Sequence, residues 1–560
     1  AKMRAIAEEA SELVRKYKGA YSGEHGDGLC RGEWIEWQFG PKIQQAFAQI
    51  KQHMDPLGLF CPQRIVNPPR MDDASLMRFP PAYKAIPLQP VLDWSAWNVQ
   101  NNPVTEETTA PGTGGDPAQG WAKAVEMCNN NGHCRKFDAG TMCPSYRVTR
   151  DEVHSTRGRA NTLRLALSGQ LDPLTLRGGG GEDGGGAATG LSEASLTAVR
   201  EALDLCVGCK GCRRDCPTGV DMARMKVEFL HHDGARHGRS IKDRLVAALP
   251  DYAHWASRFA PILNLRDRIP GLALLSEKLL GLSARRSLPQ WKTRTFFNAP
   301  PASASRDEVL AAAKPVVLFV DTFNGTFESD NAIAALQVLQ AAGYTVHVAT
   351  KHAPGGAHLC CGRTYLSTGR VDQARIKAGE LIEALLPFAT RGIAIVGLEP
   401  SCLLTLRDET LVMGLGDAAR TVATQALLFE EFLARENTAG QLDALKSRLQ
   451  PVDKPVLVHG HCHQKAFGAI GPVLDVLRMI PGAQPELIES SCCGMAGSFG
   501  YEANHHTVSM QMAELSLLPA VRRQPDALVV ADGTSCRHQI HDGTGRDAVH
   551  VAKVLAQQLA

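Results

Sequence analysis

The sequence predicts a multidomain chain of mixed α/β and α+β class, with a helical, cysteine-bearing domain in its middle and two pseudo-symmetric α/β lobes behind it. Three observations lead there. Cys206, Cys209, Cys212 and Cys216 fall within eleven residues and are followed by Pro217. From about residue 313 onward one pattern occurs twice: an apolar β-branched run, a Cys-Cys-Gly, a helix, a second apolar run and a further Cys. The length, 560 residues, suffices for three or four domains with separate cores.

Composition narrows the classes. Lys and Arg number 60 against 58 Asp and Glu, a net charge of +2, and they are scattered, so nothing points to nucleic acid or to an anionic membrane. No apolar run approaches the ~18 residues of a membrane span, and the first residues do not read as a charged segment followed by an apolar one. The sixteen Cys cluster in motifs rather than in evenly spaced pairs, which fits a reducing compartment where thiolates meet metals. A cytoplasmic protein is expected, with peripheral association at the inner face of a membrane left open, and a homo-oligomer is expected.

Residues 1–75 alternate helix and loop. Met3, Ile6, Ala7, Ala10, Leu13 and Val14 recur at helical spacing. A chain that opens on such a helix, without Met, reads as the interior of a domain belonging to a longer polypeptide. Residues 76–120 are rich in Pro, Thr and Gly and read as a linker, with Trp94 and Trp97 docking on a neighbour. The cysteine-bearing domain spans 121–235 and includes a Gly-rich insertion, 178–190, that cannot bury apolar area. A helical connector, 236–312, follows, then lobes over 313–450 and 451–560.

The spacing of Cys206, Cys209, Cys212 and Cys216-Pro217 is the C-x2-C-x2-C-x3-C-P run of a bacterial-type iron–sulfur site. Three thiolates wrap one [4Fe-4S] cluster, and the Cys before Pro turns to a second. A structural zinc knuckle is the alternative, although zinc sites favour two separated pairs of ligands. The partner run lies upstream in Cys128, Cys134 and Cys143-Pro144, with Asn131 where a second Cys is expected. With crossed ligation, Cys206, Cys209, Cys212 and Cys143 hold one complete cluster. The other has Cys128, Cys134 and Cys216, and its fourth ligand is open between Asn131, His133, solvent and none. A three-iron cluster, a labile one and no cluster all remain open, as do ordinary buried thiols.

In the second lobe Cys462 follows the first apolar run within His459-Gly-His461-Cys462-His463, and Cys492, Cys493 and Cys536 complete the set. Strand ends are where open α/β sheets build sites, so these four soft ligands are expected to converge. The first lobe has Cys360, Cys361 and Cys402, with Asp321 to Asn324 in place of the fourth Cys. A metal or cluster is expected at the second lobe more than at the first; a buried-thiol scaffold is the alternative.

Tandem lobes of this kind behind a two-cluster domain resemble the cysteine-rich CCG domains of heterodisulfide reductase, of the membrane-anchor component of anaerobic glycerol-3-phosphate dehydrogenase and of glycolate and lactate oxidation systems. In fully equipped members five Cys end in C-x2-C. Here Thr405 and Gln539 stand at those last positions, which puts a non-cubane cluster pair in doubt.

Ser22-Gly23-Glu24-His25-Gly26-Asp27-Gly28, followed by Asp55-Pro56 and Asn67-Pro68, resembles the end of the cap domain of FAD-linked D-2-hydroxy acid dehydrogenases. That resemblance implies Glu24 as ligand of a divalent metal holding the substrate, and His25 as the base taking the hydroxyl proton as hydride leaves for the flavin. It also implies Asn67 near the FAD. The family's HxGDGxxH motif is absent, so an FAD-binding half, on the same polypeptide or another, is an expected partner.

The order of parts resembles long fused bacterial FAD and iron–sulfur D-2-hydroxyglutarate dehydrogenases. It implies the electron-transfer portion of an enzyme oxidising a D-2-hydroxy acid, D-2-hydroxyglutarate first, with electrons passing from FAD through [4Fe-4S] clusters to a quinone or another carrier. The rivals are an iron–sulfur adaptor of a glycolate, lactate or glycerol-3-phosphate system, and a non-redox thiol or zinc scaffold.

Overall fold

The computed structural model describes residues 2–22, 26–29, 31–76, 79, 83–98, 116–137, 140–172, 190–350 and 358–560. Glu24, His25 and all but the last residue of the Gly-rich insertion lie outside them. Two compact units emerge, the first comprising largely Ala1–Lys84 and the second the chain from Ala85 to Ala560.

In the first unit the expected amphipathic helix forms over Lys2–Lys16. A second helix, Pro41–Met54, starts with Pro at its first turn, where its missing N–H costs nothing. Arg4 gathers Glu33 at 3.1 Å and Asp72 at 3.0 Å, and Tyr21 stacks on buried Trp34 with ring centroids 5.4 Å apart. The apolar side chains are largely uncovered: Ile6, Ile50, Leu57 and Phe60 are exposed, and the second helix buries no residue.

The second unit opens on a segment that the sequence presents as linker. Residues 85–98 are instead packed into this unit, because one buried carboxylate organises them. Glu228 accepts hydrogen bonds from the Val91 and Leu92 amides at 2.7 and 3.0 Å and from the Trp94 indole at 2.9 Å. Trp94 is buried, as expected of a docked aromatic.

Helices Trp121–Glu126, Pro144–Thr149, Thr156–Leu167, Glu193–Asp204 and Met222–His237 build the cysteine-bearing domain around Trp121, Leu163, Leu196, Val199 and Phe229. Their starts are set by side-chain caps. Ser155 accepts from Gly158 N–H, Ser192 from Ser195 N–H and Asp221 from Arg224 N–H, each satisfying an amide that the helix leaves unpaired.

Helices continue through the connector, including Ile241–Ala247, Leu249–Ala256 and Leu272–Leu280. Buried Arg286 then ties it down, donating to Gly500 O at 2.6 Å, Ser509 Oγ at 3.0 Å and Asp542 at 3.0 Å. Among the described residues no helix is long and apolar enough to cross a membrane.

Two parallel sheets follow. Strands β1 (Pro315–Phe319), β2 (Thr345–Val348), β3 (Ile395–Gly397) and β4 (Ala426–Leu428) lie in the order β2-β1-β3-β4. Strands β5 (Val456–Val458), β6 (Pro485–Leu487) and β7 (Leu528–Val530) lie in the order β6-β5-β7. Every described ladder is parallel. The apolar runs at 315–320, 392–396, 455–458 and 527–531 therefore become β1, β3, β5 and β7, buried on both faces as parallel strands require. One core joins the sheets, with Val316, Leu318 and Val396 of the first in the same cluster as Val456, Val458 and Val530 of the second.

Candidate metal centre

The order β6-β5-β7 decides which cysteines meet. The loops leaving the carboxyl ends of three neighbouring parallel strands converge there, the usual site position in open α/β sheets. Cys462 begins the short helix after β5, Cys492 and Cys493 follow β6, and Cys536 lies on helix Thr534–Thr544 after β7. All four are buried. The turn at the Cys pair depends on Gly494, whose φ is +87°. A Cβ there would fall 2.3 Å from Ser509 O, so no other residue fits.

The four thiols form a chain of contacts. Cys492 hydrogen-bonds Cys462, Cys493 lies between Cys492 and Cys536, and His459 touches Cys493. A ring nitrogen of His459 and the Sγ atoms of Cys493 and Cys536 all lie within 4.8 Å of one another. His459 was not among the metal-ligating residues expected from sequence, although it stands three residues before Cys462. Three histidines share that segment, and sequence alone does not rank them.

The electrostatics favour thiolate here. The hydrogen bond from Cys492 brings the Cys462 thiol down to about 6, and bonds from Cys492 and Cys536 hold Cys493 well below the usual thiol range. Their partners shift the other way: Cys492 rises through its bonds with Cys462 and Cys493, and Cys536 through its bond with Cys493. Buried Lys465 faces all four sulfurs, and its Nζ donates to Ser490 O, Ser490 Oγ at 3.0 Å and Ser491 O at 3.2 Å. Soft donors, a buried ring nitrogen without a hydrogen-bond partner and a fixed cation fit a metal or cluster.

The first lobe differs in kind. Cys360 and Cys361 follow β2 and Cys402 follows β3, and the three thiols touch. Hydrogen bonding from Cys361 favours the Cys402 thiolate, but burial and the carboxylates of Asp321 and Glu399 outweigh it and push Cys402 up to about 12. Cys360 is raised by its bond to Cys361 and by burial. A carboxylate-flanked set of three neutral thiols is a poorer metal site than the second lobe.

In the cysteine-bearing domain Cys206, Cys209 and Cys212 cluster on the loop that enters helix Gly211–Asp215. Burial, then Asp221, raises Cys212; burial, then Cys462, pushes Cys209 up to about 12. Thiols crowded this way are relieved when a cation takes their protons' place. Cys143, left-handed at φ +48° before Pro144, accepts Thr156 N–H at 3.0 Å. Its thiol contacts Cys134, which that bond brings down to about 6, and it also feels Cys212. Cys143 thus stands between the two sets rather than wholly with Cys206, Cys209 and Cys212.

Cys128 and Cys134 are buried, while Cys216 is half-buried beside Thr218 Oγ1 at 3.3 Å. Asn131 is exposed, donating to Asn129 Oδ1 and accepting His133 N–H at 2.8 Å, so its side chain serves the loop. Asn67 is exposed at a left-handed turn of the first unit, φ +50°. Glu24 and His25 lie outside the described residues.

Cys209 packs against Cys462 and Cys492 in one apolar cluster with Val207 and Ala496. His463 Nε2 meets Gly208 O at 3.2 Å, and Arg214 donates to Lys465 O, so the four-cysteine loop is docked on the second-lobe centre. On its other side Lys210, fully buried, pairs with Asp408 and, at 2.6 Å, with Glu409 of the first lobe.

Comparison with known families defines the class of parts. Residues 1–65 match the C-terminal domain of FAD linked oxidases, residues 124–220 a 4Fe-4S dicluster domain and residues 456–541 the cysteine-rich CCG domain. The chain therefore combines FAD-linked and iron–sulfur domains. Among individual proteins, it is 27% identical to D-2-hydroxyglutarate dehydrogenase of Escherichia coli (strain K12) over 99% of its own length and 53% of that protein's. The enzyme of that name from Pantoea ananatis (strain AJ13355) is 26% identical over the same shares. The glycolate oxidase iron-sulfur subunit of Escherichia coli (strain K12) is 23% identical over 78% of this chain and 94% of that protein. The chain spans about half the length of the dehydrogenases that it matches almost end to end.

Proposed function

We propose that the chain is the electron-transfer portion of an FAD and iron–sulfur dehydrogenase that oxidises a D-2-hydroxy acid, D-2-hydroxyglutarate before others. The observation that carries this reading is the packing of Cys209 against Cys462 and Cys492. It puts a ligand of the [4Fe-4S] run in contact with the second-lobe thiols, an arrangement that a passive scaffold has no use for. The match to the two D-2-hydroxyglutarate dehydrogenases over nearly the whole chain supports the substrate.

In this reading clusters at the buried cysteines supply one-electron carriers, and the flavin supplies the two-electron acceptor. Cys206, Cys209 and Cys212, with Cys143, hold the first cluster. Cys128, Cys134 and Cys216 hold the second, or a three-iron one. Cys462, Cys492, Cys493 and Cys536 hold a metal or cluster in the second of two pseudo-symmetric lobes. Lys465 balances the thiolate charge there, and the protein around Cys209 and Cys462 keeps water from the junction. His25 acts as the base and Glu24 as ligand to a divalent metal, with Asn67 toward the flavin. The exposed apolar side chains of the first unit suit a cap-domain end that packs on an FAD-binding body.

The test is an anaerobic absorbance and EPR titration of the natural full-length protein with D-2-hydroxyglutarate, D-lactate and glycolate. Bleaching of a flavin band by D-2-hydroxyglutarate, followed by a reduced [4Fe-4S] signal, is the expected result. A protein without flavin, whose clusters respond only to dithionite, would instead be an adaptor for a separate flavoprotein.

A further inference from the structure

We propose that His459 Nε2 is a ligand of the second-lobe centre, making it a mixed imidazole and thiolate site with Cys493 and Cys536, flanked by Cys462 and Cys492. The proposal rests on the reading that this lobe holds a metal, and it names a donor that the cysteine pattern does not contain.

The hydrogen bonds around Ser490 accommodate the tautomer that ligation needs. Ser490 Oγ donates to Ile488 O at 3.3 Å, which uses its only proton. Lys465 Nζ, which can only donate, takes one lone pair of that oxygen at 3.0 Å. With the Ser490 proton on Ile488 O, the 3.0 Å contact between Ser490 Oγ and His459 Nδ1 has Nδ1–H as donor. A neutral ring with its proton on Nδ1 carries a free lone pair on Nε2. That atom is buried and has no hydrogen-bond partner beyond the Cys493 thiol that the ring touches.

A backbone bond fixes the residue as well. His459 N–H donates to Val530 O at 2.8 Å, extending the β5–β7 pairing past β5 to the point where the sulfurs converge. Imidazole held through Nδ1–H while the other nitrogen meets a metal is the common arrangement of histidine ligands.

The neighbouring histidines are not grouped with the thiols, although His463 Nδ1 is likewise buried without a partner. His461 Nδ1 accepts His463 N–H at 3.1 Å, and His463 Nε2 is directed to Gly208 O. Gln539, three residues after Cys536, donates to Ser509 O at 3.2 Å. Among the described residues His459 is the one histidine grouped with two thiols at ligand spacing.

A neutral nitrogen in place of a thiolate in the ligand set leaves the centre less negative by one charge. For a redox-active occupant that favours the reduced state, as histidine ligation does in iron–sulfur centres generally.

The experiment uses the full-length chain purified without oxygen. Iron, zinc and acid-labile sulfide per chain are followed during challenge with EDTA, for the natural protein and for Cys493→Ser, His459→Asn, His459→Ala and His459→Cys. Asn can still donate to Ser490 but lacks the imidazole nitrogen, so it separates ligation from packing. Cys493→Ser, His459→Asn and His459→Ala are expected to release one centre at least about tenfold faster, while His459→Cys retains it. Retention in His459→Asn and His459→Ala equal to the natural protein, alongside loss in Cys493→Ser, would overturn the ligand assignment and leave the metal reading standing. Equal retention in Cys493→Ser as well would overturn the metal reading itself.

Discussion

Cys209, on the four-cysteine loop, packs side chain to side chain against Cys462, which leads the helix after β5. Residues 253 positions apart thereby join two cysteine sets that sequence presents as separate domains.

That junction predicts the behaviour of Cys462→Ser. The variant should lose the second-lobe metal, counted per chain, and keep the reduced EPR signal of the cluster at Cys206, Cys209 and Cys212. Any broadening of that signal from a neighbouring paramagnet should vanish with it. A cluster signal lost together with the lobe metal would show that the two sets are one site.

Lys210→Met tests the docking of the cluster loop on the first lobe. The substitution leaves Asp408 and Glu409 buried with one cation fewer, although Arg213 and Arg224 still reach Asp408. Removing one partner of a buried ion pair costs about 3–5 kcal/mol. Faster hydrogen exchange over 408–412 and a lower Tm are the expected readouts.

Gly494→Ala should damage the second-lobe site specifically. The alanine Cβ would collide with Ser509 O at a left-handed position, displacing the Cys492 and Cys493 turn. Metal content is expected to fall. Gly362→Ala, in the corresponding turn of the first lobe, meets Ala374 O at 2.7 Å and should lower Tm without changing metal content.

His505 sets a pH dependence. Burial opposes its charge, but the hydrogen bond to Asp204 at 3.1 Å and the ion pair with Glu502 at 3.3 Å outweigh it and push the pKa up to about 9. The folded value lies above the unfolded one, near 6.5. The stabilisation is therefore complete below about 6.5 and disappears as pH rises through about 9. Tm of the natural protein should fall across that window, and His505→Gln should flatten this part of the profile. An unchanged slope in His505→Gln would assign the dependence to other groups.

The sequence by itself determined the cysteine spacings, the four longer apolar runs that become β1, β3, β5 and β7, and the first helix, because these depend on local periodicity. β2 and β6 carry polar residues, His347 and Glu486, and β4, Ala426–Leu428, has no β-branched residue, so these three gain their strand character from the neighbour with which they pair. The reading of 76–120 as linker follows from its Pro and Thr content, yet Glu228, more than 130 residues later, organises Val91 to Trp94 by offering its carboxylate to three N–H groups. The two Cys-Cys-Gly turns were legible in the sequence. The charges around them were not: Lys465 faces the sulfurs of one set, and Asp321 and Glu399 flank those of the other. Which histidine of 459, 461 and 463 meets the thiols, and that Cys209 meets Cys462, were decided only by the tertiary structure. Sequence fixes the ligand types within a loop, whereas parallel strand order and buried charge decide which loops converge and which thiols there can ionise.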